Sequence, residues 1–201
     1  MGCRACSKEC QKETTELKKP VIYLYPETTI DVEIKLNIKN SKLSCIYPKF
    51  NGEDNTWKVK ASPNGEITIL DKKYPYLFWE AESYINQNVS EGFIVKAEDA
   101  EKFLEEKLKI IGLNEKESCE FITYWLPELL KNKISLCSFQ KQEFFDNFEL
   151  DINPKPKSAL RVFLSIKKLD YPVNVQEQKL ERFERKGFTV IEWGGSKITN
   201  K

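Results

Sequence analysis

The chain has 201 residues, of which 40% are hydrophobic and 31% charged, so it can form the core of one large domain or two small ones. Its 32 basic and 31 acidic residues leave a formal net charge of +1, which argues against nucleic-acid binding because such proteins need a basic excess. The chain contains no histidine, which excludes Ser-His-Asp and Cys-His catalysis and histidine metal ligands. It also contains no glycine-rich phosphate-binding loop.

The first 19 residues are polar and carry three cysteines, Cys3, Cys6 and Cys10, in a C-x2-C-x3-C arrangement. Zinc sites often begin with C-x2-C, although a fourth ligand would have to be a cysteine or a carboxylate here. A second alternative is a lipid-anchored N-terminus, because Met-Gly-Cys at residues 1–3 nearly fits a myristoylation signal next to a cysteine that can be acylated. We favour a flexible, oxidisable tail at residues 1–19 that holds no cofactor.

No apolar run approaches the roughly 20 residues of a transmembrane helix, and the first twenty residues contain no apolar signal-peptide region. We therefore expect a soluble, cytoplasmic protein by default. A surface-tethered or secreted protein is the alternative if a natural signal precedes this sequence.

Residues 20–84 are predicted to form successive antiparallel strands at roughly ten-residue spacing. Residues 21–25 are apolar on both faces and indicate a strand that is buried on both sides. Ile30–Ile38 alternates strictly, so its even-numbered residues should be buried and its odd-numbered residues exposed.

The apolar spacing then changes to that of helices, at residues 98–111 and 115–131. Asn114 and Glu117 have the spacing of a capping box, which starts the second helix. The two segments are predicted to form a helical hairpin. It should pack against a sheet through Phe103, Leu104, Leu108, Phe121 and Trp125.

Strands are predicted again near residues 134–137, 148–152, 160–167 and 188–193, and residues 180–186 fit a short helix. The fold class is therefore α+β, an antiparallel, β-rich domain with a meander or sandwich-like arrangement and an inserted helical hairpin. Its predicted limits are residues 20–195, followed by a frayed tail at 196–201. The remaining cysteines, Cys45, Cys119 and Cys137, lie among apolar residues and are expected to be buried.

Three segments carry a resemblance to a known family: KPVIYLYP at residues 19–26, YLFWE at 76–80 and FERKGFTVIEWGG at 183–195. Together they resemble a family of uncharacterised, mostly bacterial hypothetical proteins. The resemblance implies a single intact domain, and members often carry a cysteine-containing or lipoprotein-like N-terminus. It implies no activity and no catalytic residue.

Tyr76, Phe78, Glu80 and Glu82 would share one face of a regular strand, which mixes aromatic rings with carboxylates. Same-face carboxylates about 7 Å apart approach the separation that inverting glycosidases use. The rings could stack on a sugar or hold a cationic group. The alternative is that both glutamates are exposed or are paired with Arg161 or Arg185.

A second candidate is Glu192 with Trp193, followed by two glycines that allow close approach of a ligand. The alternative is the end of a strand. Arg161, within an apolar strand, is a third candidate, either exposed or buried beside a carboxylate.

These patterns favour a non-enzymatic binding or interaction domain for an unknown protein or carbohydrate ligand. The predicted ligand-binding residues are Tyr76, Phe78, Glu80, Glu82 and Trp193. The alternative function is a carboxylate-based carbohydrate hydrolase that acts through Glu80, Glu82 or Glu192, and a purely structural or toxin-associated domain is a third.

Overall fold

The computed structural model describes residues 15–198, which form two β-sheets, a helical hairpin and one short helix. The strands are β1 (Thr15–Tyr25), β2 (Ile30–Ile38), β3 (Ser41–Tyr47), β4 (Thr56–Ala61), β5 (Ile67–Ile69), β6 (Lys72–Tyr74), β7 (Leu77–Ser83), β8 (Phe93–Lys96), β9 (Ile134–Phe139), β10 (Phe148–Asn153), β11 (Ser158–Leu169) and β12 (Thr189–Ile198). The helices are α1 (Ala100–Ile111), α2 (Glu115–Leu130) and α3 (Gln142–Phe145).

The large sheet has seven strands in the order β3-β7-β1-β12-β11-β9-β8, and the small sheet has five in the order β10-β2-β4-β5-β6. Neighbouring strands are antiparallel except β11 and β12, which run parallel from Ser158 and Thr189 to Lys167 and Ile198. The predicted α+β class, with mostly antiparallel sheets and an inserted helical hairpin, is confirmed.

One core lies between the two sheets. Ile34, Leu36 and Trp57 of the small sheet meet Leu24 and Trp79 of the large sheet, and all five are buried. The alternation predicted for β2 is confirmed at its centre. Its even-numbered residues Val32, Ile34 and Leu36 are buried, whereas the odd-numbered Asp31 and Glu33 are exposed.

The second core lies between the large sheet and the helical hairpin, as predicted. Leu104 and Leu108 of α1 and Phe121 and Trp125 of α2 are buried against the large sheet, and Phe103 is half-buried beside them. The predicted capping box is present. The Asn114 side chain accepts the Glu117 backbone N–H at 2.9 Å, and the Glu117 carboxylate accepts the Asn114 backbone N–H at 2.9 Å.

Two strands extend beyond the expected limits of the domain. β1 starts at Thr15 rather than residue 20, and its Leu17 is fully buried. β12 runs to Ile198, so residues 196–198 form an ordered strand instead of a frayed tail. The reason is that β12 lies between β1 and β11, which pair with both of its edges.

Two smaller expectations are corrected. Residues 180–186 adopt irregular structure rather than a helix. Cys137 is buried as expected, but Cys45 and Cys119 are exposed. Cys45 is exposed because it lies on β3, a strand at the edge of the large sheet. Cys119 is exposed because it lies on the face of α2 that points away from the sheet.

The three cysteines of the N-terminal tail, Cys3, Cys6 and Cys10, lie outside the described residues. Within residues 15–198, no helix is both long and apolar enough to span a membrane.

Candidate functional site

The mixed face predicted at β7 contains a cationic group from the same chain. We call Tyr76, Phe78, Glu80 and Glu82 the aromatic–acidic face. The Lys19 ammonium group lies 5.3 Å from the ring centre of Tyr76, 5.7 Å from that of Phe78 and 5.9 Å from that of Tyr124 on α2. Burial raises the pKa of Tyr124, and the nearby Glu80 carboxylate adds to this effect.

A β-bulge in β1 places Lys19 over these rings. Leu17 pairs with Ala81 and Val21 with Phe78, so three residues of β1 oppose two of β7. At the bulge Lys19 has a φ of 59°, a left-handed conformation that is uncommon for a lysine. The extra residue turns the Lys19 side chain toward α2.

The bulge also supplies the partners of Glu80. The backbone N–H of Lys19 donates to Glu80 Oε1 at 3.1 Å, and Lys18 Nζ lies 3.3 Å from Glu80 Oε2. Glu80 therefore pairs with Lys18 and Lys19, and not with Arg161 or Arg185. Glu82 is exposed, two residues further along β7.

Glu192 and Trp193 are adjacent in β12, so their side chains point to opposite faces of the large sheet. Trp193 is fully buried under the hairpin, with its ring centre 5.3 Å from that of Phe121. It is a core residue that a ligand at the surface does not reach. Glu192 lies on the face that the small sheet covers, so the structure does not bring it together with Glu80.

Glu192 is 3% exposed and has two partners. It accepts a hydrogen bond from Trp79 Nε1 at 2.9 Å, and Arg161, directly opposite on β11, donates to its other oxygen. The Arg161 guanidinium also lies 4.5 Å from the ring centre of Phe145. Arg161 is thus the half-buried partner of a buried carboxylate, which is close to one of the two alternatives that its sequence context allowed.

A groove of about 760 Å³ opens beside Arg161, and we call it the edge groove. It lies where the small sheet ends over the large sheet, between the edge strand β10, α3 and the first residues of β11. Its lining residues are Gln142, Phe145, Glu149, Leu150, Asp151, Ile152, Asn153, Lys155, Pro156, Ala159, Arg161 and Val190. The sequence analysis singled out Arg161 but not this groove, because the groove depends on the order of strands from distant parts of the chain.

The described residues contain no group of three or more cysteine, aspartate or glutamate side chains that could hold a metal ion. Cys3, Cys6 and Cys10, the zinc ligands of the alternative hypothesis, fall before Thr15, so zinc at these cysteines stays an alternative prediction.

The fold defines an α+β protein in which a small sheet and a helical hairpin cover opposite faces of a large sheet. The chain is 38% identical over 82 residues to a protein of Butyrivibrio fibrisolvens described as "Uncharacterized protein in bglA 3'region"; the match covers 40% of this chain and 83% of that protein. It therefore belongs to the same family of uncharacterised bacterial proteins. No family model and no solved structure matches it.

Proposed function

We propose that the protein is a non-enzymatic binding domain whose ligand lies in the edge groove. The observation that carries this proposal is an open groove of about 760 Å³ whose lining combines apolar and charged side chains. Leu150 and Ile152 are among the apolar lining residues, and Asp151 and Arg161 are among the charged ones. Ligand sites usually combine mostly apolar lining with a few placed polar groups.

The arrangement of the carboxylates supports binding over hydrolysis. Two carboxylates of a glycosidase must flank one glycosidic bond, but Glu80 and Glu192 lie on opposite faces of the large sheet, and Glu82 is the carboxylate that shares a face with Glu80. Glu80 is bound by Lys18 and the Lys19 N–H, and Glu192 by Trp79 and Arg161. Both side chains therefore have structural partners.

The aromatic–acidic face is the second candidate for a ligand site. Lys19 already supplies the cation for the rings, so a cationic ligand would have to displace the Lys19 ammonium group. The edge groove requires no such displacement, which is why we place the ligand there.

The test is a binding screen of the full chain against a peptide library displayed on phage and a panel of soluble glycans. We expect binding from at least one panel and its loss in Ala159→Trp, which fills the groove from an exposed position. Glu105→Trp, on the exposed face of α1, is the matched control and should bind normally.

Failure of both panels would contradict the proposal, as would normal binding by Ala159→Trp. Release of new reducing ends from a polysaccharide, abolished in Glu80→Gln, would instead support the hydrolase.

A further inference from the structure

We propose that the edge groove binds an extended polypeptide segment, which adds as a further strand beside β10. This inference rests on the proposed binding function and specifies the class of ligand.

The first argument is the free backbone edge of β10. All six residues of Phe148–Asn153 pair with β2, in register from Ile38 to Glu33, and β10 is the last strand of its sheet. Alternate residues of an edge strand direct their N–H and C=O groups away from the partner strand. Among residues 15–198, β10 forms its ladder with β2 alone, so these groups face the groove, whose lining includes residues 149–153. The edge is about 20 Å long at roughly 3.3 Å per residue.

The second argument is the period-two pattern of side chains along this edge. Leu150 and Ile152 pack toward the core between the sheets but are only half-buried, because the groove opens beside them. Glu149 and Asp151 alternate with them and are exposed on the other face. The side chains of an added strand would therefore lie alternately beside the apolar residues and beside the acidic residues of β10.

The acidic residues of β10 indicate that the bound segment carries basic residues. On the paired side of β10, β2 places Lys35 opposite Asp151, and Lys39 Nζ lies 3.2 Å from Glu149. Among residues 15–198 no strand pairs with the free edge of β10 to place basic residues beside these two acids; the basic lining residues of the groove, Lys155 and Arg161, lie after β10 and on β11. A segment that alternates apolar residues with Lys or Arg would supply both the apolar contacts and the charges.

The groove suits a polypeptide better than a sugar. Sugar sites present exposed aromatic faces, whereas Phe145, the aromatic residue of this groove, is 6% exposed and has Arg161 against its ring. Phe145 therefore offers no free ring face on which a sugar can stack, whereas the unpaired backbone edge of β10 can accept a peptide strand.

The experiment starts from peptides selected from the phage library on the full chain. We expect alternating apolar and basic residues in the selected peptides. Hydrogen exchange of the complex should then show protection of β10 amides. Every second backbone N–H of the bound peptide should point toward β10. Binding of a synthetic selected peptide should fall at least tenfold when these nitrogens, one of the two alternating frames, are N-methylated. It should change little when the other frame is N-methylated, because those nitrogens point away from β10.

Charge reversal tests the acidic positions. Asp151→Lys should weaken binding of the basic peptides at least tenfold, whereas Asp31→Lys, an exposed aspartate on the neighbouring β2, should not.

Equal tolerance of both N-methylated frames, or protection away from β10, would overturn the inference while leaving a binding domain. Glycan binding that Ala159→Trp abolishes, without any peptide binding, would do the same. Failure of every ligand would overturn the inference and the proposed function together.

Discussion

Trp79 and Glu192 are 113 residues apart in the chain, yet a 2.9 Å hydrogen bond joins the indole N–H to the carboxylate. Trp79 lies on β7 and Glu192 on β12, with β1 between the two strands. The bond therefore crosses a whole strand, and Arg161 extends it to β11. This one carboxylate connects three strands, β7, β12 and β11, and spans β1 between the first two.

We expect Glu192→Ala to destabilise the protein by about 3 kcal/mol or more, because Arg161 would keep a largely buried charge without a partner. Urea unfolding measures the loss. Glu192→Gln should cost less, since its amide oxygen still accepts from Trp79. Glu33→Gln, which breaks the exposed pair with Lys58, is the control and should cost under about 1 kcal/mol. Equal losses in Glu192→Ala and Glu33→Gln would contradict the prediction.

Gly195 lies in β12 where the sheet packs closely against α2. A Cβ there would lie 2.5 Å from the Leu164 carbonyl oxygen and 2.6 Å from the Trp125 ring. Gly195→Ala should therefore destabilise the protein by about 1–3 kcal/mol. Thermal and urea unfolding measure this. In Gly52→Ala the nearest atoms are Lys58 Cε and Thr56 Cβ at 3.2 Å, a much smaller overlap, so the stability of that variant should change much less.

Glu80 and Glu82 form a matched pair on one strand face. Glu80→Ala should destabilise by about 1–2 kcal/mol, because the Lys19 N–H loses its acceptor and Lys18 loses one of its two carboxylate partners. Glu82→Ala should be near neutral, since the side chain is exposed. Denaturant unfolding gives the free energy of unfolding of each variant and so compares the two losses directly. A Glu80 variant as stable as the wild type would indicate that this carboxylate is kept for a ligand.

Thiol labelling should distinguish the cysteines beyond the N-terminal tail. Cys45 and Cys119 are exposed, whereas burial raises the pKa of the Cys137 thiol and shields it from reagents. We expect a maleimide to modify the native protein at Cys45 and Cys119 within minutes, and at Cys137 only after unfolding. Peptide mapping by mass spectrometry assigns each site. Rapid native labelling of Cys137 would contradict the packing of β9.

Removal of residues 1–14 should leave the melting temperature unchanged, because β1 and its buried Leu17 are retained. A chelator should also have no effect on the full chain. The zinc hypothesis for Cys3, Cys6 and Cys10 predicts the opposite, since metal affinity would then contribute to folding. A chelator-dependent loss of stability in the full chain alone would support zinc.

Sequence patterns that extend over a few residues predicted most of the helices and strands. The alternation in Ile30–Ile38 and the capping box at Asn114 each depend on residues within one element, so they can be identified from the sequence alone. The sequence also indicated that an arginine within an apolar strand can have a buried partner. It could not identify Glu192 as that partner, because the pair depends on β11 running parallel to β12.

The candidate site was harder to predict for the same reason. Lys19 lies at the bulge in β1, where the alternation of a regular strand no longer fixes the direction of a side chain, and there its ammonium group contacts Tyr76 and Phe78. The edge groove requires that β10 end its sheet above β11, which no local pattern indicates. The glycines at 194 and 195 suggested close approach of a ligand or the end of a strand, but close packing inside the protein explains them.

The position of β12 has a consequence for synthesis on the ribosome. β12 is the final described strand along the chain, yet it pairs with β1 in the middle of the large sheet, with Val21 opposite Trp193 roughly 170 residues later. At about 5–20 residues per second, the apolar edge of β1 waits on the order of ten seconds or more for its partner. During that interval a nascent chain carries an open strand edge that other chains can join. Chaperone occupancy of nascent chains should therefore persist until β12 has emerged.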